Sequence, residues 1–394
     1  MRKDPLSFLD TELDNLKQQG LYRKLRILEG EPNAHATFDH KSVVNLSSNN
    51  YLGLSTHPKL RKAALEAVEK YGVGSGAVRT ISGTMEMHME LERRLAEFKH
   101  VESVVVFQSG FAANAGTVAA VLTKDDVIVS DELNHASIID GCRLSRAPIK
   151  VFPHKDMEAA RKILEGLPRE QKKIVITDGV FSMDGDLGRV PQLCALAEEF
   201  GAIMMVDDAH ASGVFGKFGS GTVDHFNCHG RVDIQVGTLS KAIGVLGGYV
   251  AGSKSLIEFL YHRARPFLFS TSHPPAVTAA CIAALDVLHT EPQWIEQLWD
   301  NTRFFKKGLV DLGFNTGMSE SPITPVIVGE AATAARMSDA LFEKGVFAQS
   351  LGFPTVARDK ARLRTIVAAT HSKEDLKYAL DMFALVGREL GVIQ

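Results

Sequence analysis

Between residues 85 and 252, short apolar runs that do not alternate are set between helical stretches. No other feature constrains the fold as much. Helical "HMELERRLAEF" leads to "SVVVFQ", a glycine turn and helical "AANAGTVAAVL". Then come "DVIVSD", "KKIVITDGVFS", helical "PQLCALAEEFG", "AIMMVDDAH" and "DIQVGTLS". Strands that are apolar on both faces need cover on both faces, and helices between them supply it. This predicts an α/β fold with a mostly parallel sheet. After Pro274, "AVTAACIAALDVLH" reads as a long buried helix, and "SPITPVIVG" and "GVFAQS" lie between further helices. The expected organisation is an N-terminal helix and arm over 1–50, a large domain over 51–287 and a smaller α+β domain over 288–394. Helical spacing of Leu and Phe predicts an amphipathic helix over 6–29, and "PKLRKAALEAVEKYG" a helix that stops at Gly72.

Charge excludes some functions. With 44 basic and 47 acidic residues the formal net charge is −3, which leaves no electrostatic footprint for nucleic acid or an anionic membrane. The four cysteines are far apart and form no CxxC pair, which fits neither a disulfide scaffold nor a zinc framework. "MRKDPLSFLDTELDNL" carries acids where a secretory leader needs an apolar core, and no apolar run nears the ~20 residues of a membrane span. A soluble, cytoplasmic protein is expected.

In sheets of this kind ligands bind beyond the carboxyl ends of the strands. Gln108–Gly110, Ser130–Asp131, Asp178, Asp207–Asp208 and Thr238–Lys241 each follow an apolar run, so one crevice is expected to collect them. "VGTLSKAIGVLGGYVAG" has a single charged residue, Lys241. Burial among small and apolar neighbours disfavours the ammonium form and makes the amine the nucleophile that Schiff-base chemistry requires; the alternative is a surface-loop lysine. Asp207 and His210 follow a strand, either as a carboxylate facing a cationic nitrogen or as a strand-end acid with a helix cap. "FQSGFAANAG" offers a helix N-terminus suited to phosphate, or an ordinary strand-to-helix loop. His135 is either structural or placed to stack on a flat ring. "GVGSGA" follows a helix and not a strand, so it is no dinucleotide fingerprint. "HFNCHG" sets His225, Cys228 and His229 together without a fourth zinc ligand and reads as a solvated loop; no metal is expected.

Together "LSSNNYLGL", "VRTISGTMEMHMELE", "FQSGFAAN", "SDELNHASIIDG", "TDGVFSMDGDLG", "VDDAHASGVFG", "GTLSKAIGVLGGY", "FSTSHPP" and "ARLRTIVAATH" resemble the α-oxoamine synthases over nearly the whole chain. These are pyridoxal 5'-phosphate (PLP) enzymes of the aspartate-aminotransferase fold, fold type I. The resemblance implies Lys241 as the lysine that binds PLP and Asp207 as the partner of its pyridine nitrogen. It implies His135 as the stacking ring, with His210 and Ser182 beside the ring hydroxyl. Ser109, Gly110, Phe111 and Thr238 would hold the phosphate. Ser270 and Thr271 would reach it from a second subunit, which implies a homodimer with shared active sites. Asn50 and Arg364 would bind the amino-acid carboxylate. Arg79 would stand near the acyl-CoA, meeting a carboxylated acyl chain or merely bridging loops. The activity implied first is that of a glycine C-acetyltransferase, condensing glycine with acetyl-CoA to 2-amino-3-oxobutyrate in threonine breakdown. The alternative is 8-amino-7-oxononanoate synthesis from L-alanine and a pimeloyl thioester, or a synthase accepting both pairs. From other classes, a transaminase, a decarboxylase or an idle PLP-fold protein stand as alternatives.

Overall fold

The computed structural model describes residues 4–18, 22 and 25–394. At its centre lies a seven-stranded sheet in the order Ser103–Phe107, Gly248–Gly252, Ile234–Thr238, Ile203–Asp207, Lys173–Asp178, Val127–Asp131, Ile149–Phe152. Only Gly248–Gly252 runs against its neighbours; the other pairings are parallel. Successive side chains of a strand point to opposite faces. Ile174 and Ile176 therefore join Ile138, Cys142 and Ile257 on one face, while Val175 joins Leu164, Leu193 and Cys194 on the other. Helices Gly110–Val121, Ala136–Ser145 and Lys254–Arg263 cover the first face, and Met157–Glu165 and Val190–Phe200 the second. Lys173–Asp178 and Ile234–Thr238 are buried at every position, which is why those runs do not alternate. A third apolar cluster joins Pro58–Tyr71, Glu86–Lys99 and Pro275–Thr290 to the C-terminal elements.

Beyond the sheet, strands Ile323–Gly329, Ala361–Ile366 and Gln349–Leu351 form an antiparallel sheet, with helices Gln293–Asp311, Ala331–Glu343 and Lys373–Glu389 nearby in sequence. Val346–Phe347 pairs instead with Lys41–Asn45, so the N-terminal arm and the C-terminal part share backbone hydrogen bonds. Arg362 and Arg364, two apart and so on one face of their strand, both reach the 182–184 segment. Arg362 Nη1 donates to the Met183 carbonyl at 3.1 Å, and Arg364 Nε to the Ser182 carbonyl at 2.6 Å.

The N-terminal helix covers Phe8–Gln18 and not 6–29. Leu28 and Glu29 pair with Phe38 and Thr37, and a residue that gives its backbone to a ladder cannot continue a helix. Residues 19–21, 23 and 24 of the expected helix lie outside the described residues. Among the described residues no helix is long and apolar enough to cross a membrane. All four cysteines are buried and free.

Candidate active site

Three adjacent strands end on acids or a hydroxyl. Asp178 lies beside Asp207 in the ladder, and Asp207 beside Val236, two residues before Thr238. Their carboxyl ends open on a cavity of about 190 Å³ that Ser109, Gly110, Asn114, His135, His210 and Lys241 help to line. Asp207, 3% exposed, accepts from the Ala209 N–H at 2.7 Å and from Asn114 Nδ2 at 2.6 Å. Charge-assisted bonds on both oxygens fix that carboxylate. Asp208 pairs elsewhere, with Lys99 at 2.8 Å, and both side chains are fully buried.

Lys241 sits in a tight turn after its strand, closed by Leu239 N–H to Gly247 O and Val245 N–H to Leu239 O, both 2.9 Å. The turn needs Gly244 at φ +78°, where a Cβ would lie 2.7 Å from the Ser55 nitrogen. Burial lowers the Lys241 pKa to about 8, reinforced by Arg364 and opposed by Asp207 and Asp178. Burial, with Lys241 and Arg364, also pushes His210 well below the usual imidazole range; its Nδ1 is 2.8 Å from the Tyr51 hydroxyl. Asp178 is pushed well up by burial and by Asp207, and its Oδ2 accepts the His135 N–H at 2.8 Å.

At the other end, Ser109 caps helix Gly110–Val121 by accepting from Ala112 N. The first-turn N–H groups of Gly110 and Phe111, which no helix carbonyl can satisfy, are left for an anion. Thr238 Oγ1 lies 2.7 Å from Ser240 Oγ beside them, and a Cβ on Gly110 would stand 3.4 Å from Thr238 Cβ. These donors fit PLP: a carboxylate for a pyridinium nitrogen, a neutralisable amine for an aldehyde, and a helix start with hydroxyls for a phosphate monoester. The buried Asn114 Oδ1, without a hydrogen-bond partner among the described residues, marks the same pocket as built for a polar occupant.

Ser182 also lines the cavity, and Arg364 stands beside it, close enough for its charge to depress Lys241, His135 and His210. Other residues singled out from sequence make different contacts. Asn50 Nδ2 turns away to the Pro32 carbonyl at 3.2 Å, whereas Asn49 Oδ1 accepts from Arg364 Nη2 at 3.2 Å. Arg79 pairs with Glu92 in a buried ion pair, its two terminal nitrogens 2.8 and 3.0 Å from the carboxylate oxygens, which matches the loop-bridging alternative. Of the strand-end residues, Asp131 pairs with His154, Asp208 with Lys99, and Gln108 Nε2 donates to the Thr271 carbonyl, so no single crevice collects them all. Ser270 and the exposed Thr271 do not line this chain's own cavity. His225, Cys228 and His229 do not converge either. Cys228 is buried, while His229 meets Asp224 and His100, their ligand atoms lying within 4.8 Å of one another at the surface. Asn114, Ser137, Asn49 and Tyr51 had no functional reading from sequence; a lone Asn in an apolar helix and a Ser two residues after His135 were the available signals.

The model of the family "Aminotransferase class I and II" matches residues 41–383. An 8-amino-7-oxononanoate synthase of Thermoanaerobacter pseudethanolicus is 58% identical over 98% of each chain. That of Symbiobacterium thermophilum is 58% identical over 98% of this chain and 99% of its own. 8-Amino-7-oxononanoate synthase 1 of Bacillus subtilis is 53% identical, again over 98% of each. Among solved structures, a serine palmitoyltransferase from S. paucimobilis with a bound PLP–myriocin aldimine superimposes with TM-score 0.94 at 32% identity, covering 99% of this chain and all of that one. These relatives overturn the expectation of a glycine C-acetyltransferase in threonine breakdown: the full-length likeness is to enzymes of 8-amino-7-oxononanoate synthesis. Several of the motifs quoted above supply the lining of this cavity, and none of them carries a residue whose contacts single out one acyl group.

Proposed function

The chain belongs to the class I and II aminotransferase family and, within it, to the PLP-dependent α-oxoamine synthases; on that premise we propose that it joins L-alanine to a pimeloyl thioester to give 8-amino-7-oxononanoate. The protein is a PLP-dependent enzyme of fold type I. Its full-length likeness to 8-amino-7-oxononanoate synthases carries the choice of substrates. A nine-carbon product from a seven-carbon acyl group and a three-carbon amino acid requires the alanine carboxylate to leave as CO2 while the thiol departs.

Bound PLP supplies an electron sink for the alanine α-carbon. Lys241 would hold it covalently, and Asp207 would keep its ring nitrogen protonated. His135 would stack on the ring, with His210 and Ser182 beside its hydroxyl. Ser109, Gly110, Phe111 and Thr238 would take the phosphate, joined by Ser270 and Thr271 of a second copy in a homodimer. Arg364, steadied by Asn49 and by the Ser182 carbonyl, would bind the alanine carboxylate. The Lys241 Nζ, its pKa lowered to about 8 by burial, would take the alanine α-proton before the new carbon–carbon bond forms, and a proton would return to that carbon once CO2 has left.

The test is thiol release by the PLP-loaded protein with pimeloyl-CoA plus L-alanine, against acetyl-CoA plus glycine, with the amino product weighed by mass spectrometry. The first pair should be turned over with at least a tenfold higher kcat/KM, a margin of about 1.4 kcal/mol. Lys241→Ala should lose on the order of a thousandfold or more. Preference for acetyl-CoA plus glycine would refute the reading.

A further inference from the structure

Asn114 lies one helical turn beyond Gly110 in an apolar helix and is 1% exposed. Its amide nitrogen has two hydrogens, and both are used. One goes to Asp207 Oδ2 at 2.6 Å, the other to Ser137 Oγ at 2.9 Å. Ser137 Oγ is in turn 2.7 Å from His135 Nδ1, and the Ser137 backbone N–H donates to the same Nδ1 at 3.2 Å. A ring nitrogen that accepts a backbone N–H carries no proton of its own. The Ser137 hydroxyl hydrogen therefore also points at Nδ1, and the imidazole's single proton sits on Nε2. The spacing is pinned: helices Gly110–Val121 and Ala136–Ser145 approach so closely that a Cβ on Gly141 would lie 3.0 Å from the Asn114 carbonyl oxygen.

We propose that Asn114 is a positioning residue whose one amide group orients the Asp207 carboxylate and, through Ser137, holds His135 as the neutral Nε2–H tautomer. The inference rests on the reading of Asp207 and His135 as the two residues that grip the cofactor ring. An amide suits this task because it does not titrate, so both bonds persist wherever the enzyme works. Protonating His135 at Nδ1 would lose the bond from the Ser137 N–H and force the Ser137 hydroxyl to turn from donor to acceptor. Burial acts in the same direction on that imidazole, lowering its pKa. The electron-accepting end of the ring and the residue stacked on its face are thereby set by one side chain.

The test uses two variants, each read by the Kd of apo protein for PLP and by the midpoint of the absorbance–pH titration of bound PLP. Asn114→Asp keeps the shape but puts an acceptor where Asp207 needs a donor. It should weaken PLP roughly tenfold or more and move the midpoint by about one pH unit. Ser137→Ala cuts only the arm to His135, so it should move both readouts in the same sense by a smaller amount. The double variant should lose no more than Asn114→Asp alone, because that change already breaks the relay. Wild-type values in Asn114→Asp would overturn the proposal, as would losses that multiply in the double variant. So would a lowered unfolding temperature with neither readout moved. If Asn114→Asp does not fold, an unmoved midpoint in Ser137→Ala overturns it alone. Failure of the wild type to show a Lys241-dependent absorbance with PLP would sink the underlying cofactor reading, a separate and earlier result.

Discussion

A lysine that titrates at about 8 is half neutral where an ordinary lysine is almost wholly charged. Capture of PLP by apo protein needs the neutral amine, so its rate should climb with pH through about 8 and level off above. A rate still climbing through pH 10 would show that burial leaves the Lys241 amine unperturbed. At the same scale stands the pair Asn49 and Asn50. Asn49 supports Arg364 and Asn50 the Pro32 carbonyl, so Asn49→Ala should raise the KM for the amino acid by about tenfold, while Asn50→Ala changes it far less. Equal effects in steady-state kinetics would count against the assignment. Residue type alone separates neither this pair nor Asp207 from Asp208; the family resemblance chose Asn50 and Asp207. Adjacent residues of one type differ only in where the backbone points them, and that depends on the packing around the segment.

Arg79 acts at the scale of elements. It reaches from the loop before helix Glu86–Lys99 to Glu92 on that helix, and Glu92 also accepts the Val106 N–H at 3.0 Å from the central sheet and the Tyr261 hydroxyl at 3.3 Å. Loop, helix and strand thus meet on one buried ion pair. Arg79→Ala strands an unpaired carboxylate among them and should cost about 3–5 kcal/mol by urea unfolding. The ratio of kcat/KM for pimeloyl-CoA to that for acetyl-CoA should hardly change. A variant of normal stability with altered acyl preference would restore Arg79 to the substrate side. Sequence left both roles open because a buried arginine and a ligand-binding arginine look alike until the partner carboxylate is located.

Over the whole molecule, His154 joins distant segments, with Nδ1 3.0 Å from Asp131 and Nε2 2.9 Å from Asp186, where Lys155 also converges and Glu320 lies within 3.8 Å of that lysine. Burial alone would lower its pKa, but the hydrogen bonds to Asp131 and Asp186 outweigh burial and raise it to about 9. A pKa raised on folding means stability fully present below the unfolded value of about 6.5 and lost as pH rises through about 9. The advantage of wild type over His154→Gln in thermal unfolding should therefore shrink between pH 6.5 and 9.5; a constant difference would mean that charge plays no part. The unbroken apolar strands, the helices between them and the strand-end Lys241 and Asp207 were all legible from sequence, because burial on two faces and a lone charge in an apolar run leave their mark on the local pattern. Which asparagine steadies Arg364, and that Arg79 is spent on Glu92, were decided only by tertiary structure. Asn49 lies 315 residues from Arg364 and Glu92 lies 13 from Arg79 across a loop, and local pattern carries no record of which side chains such folding brings together.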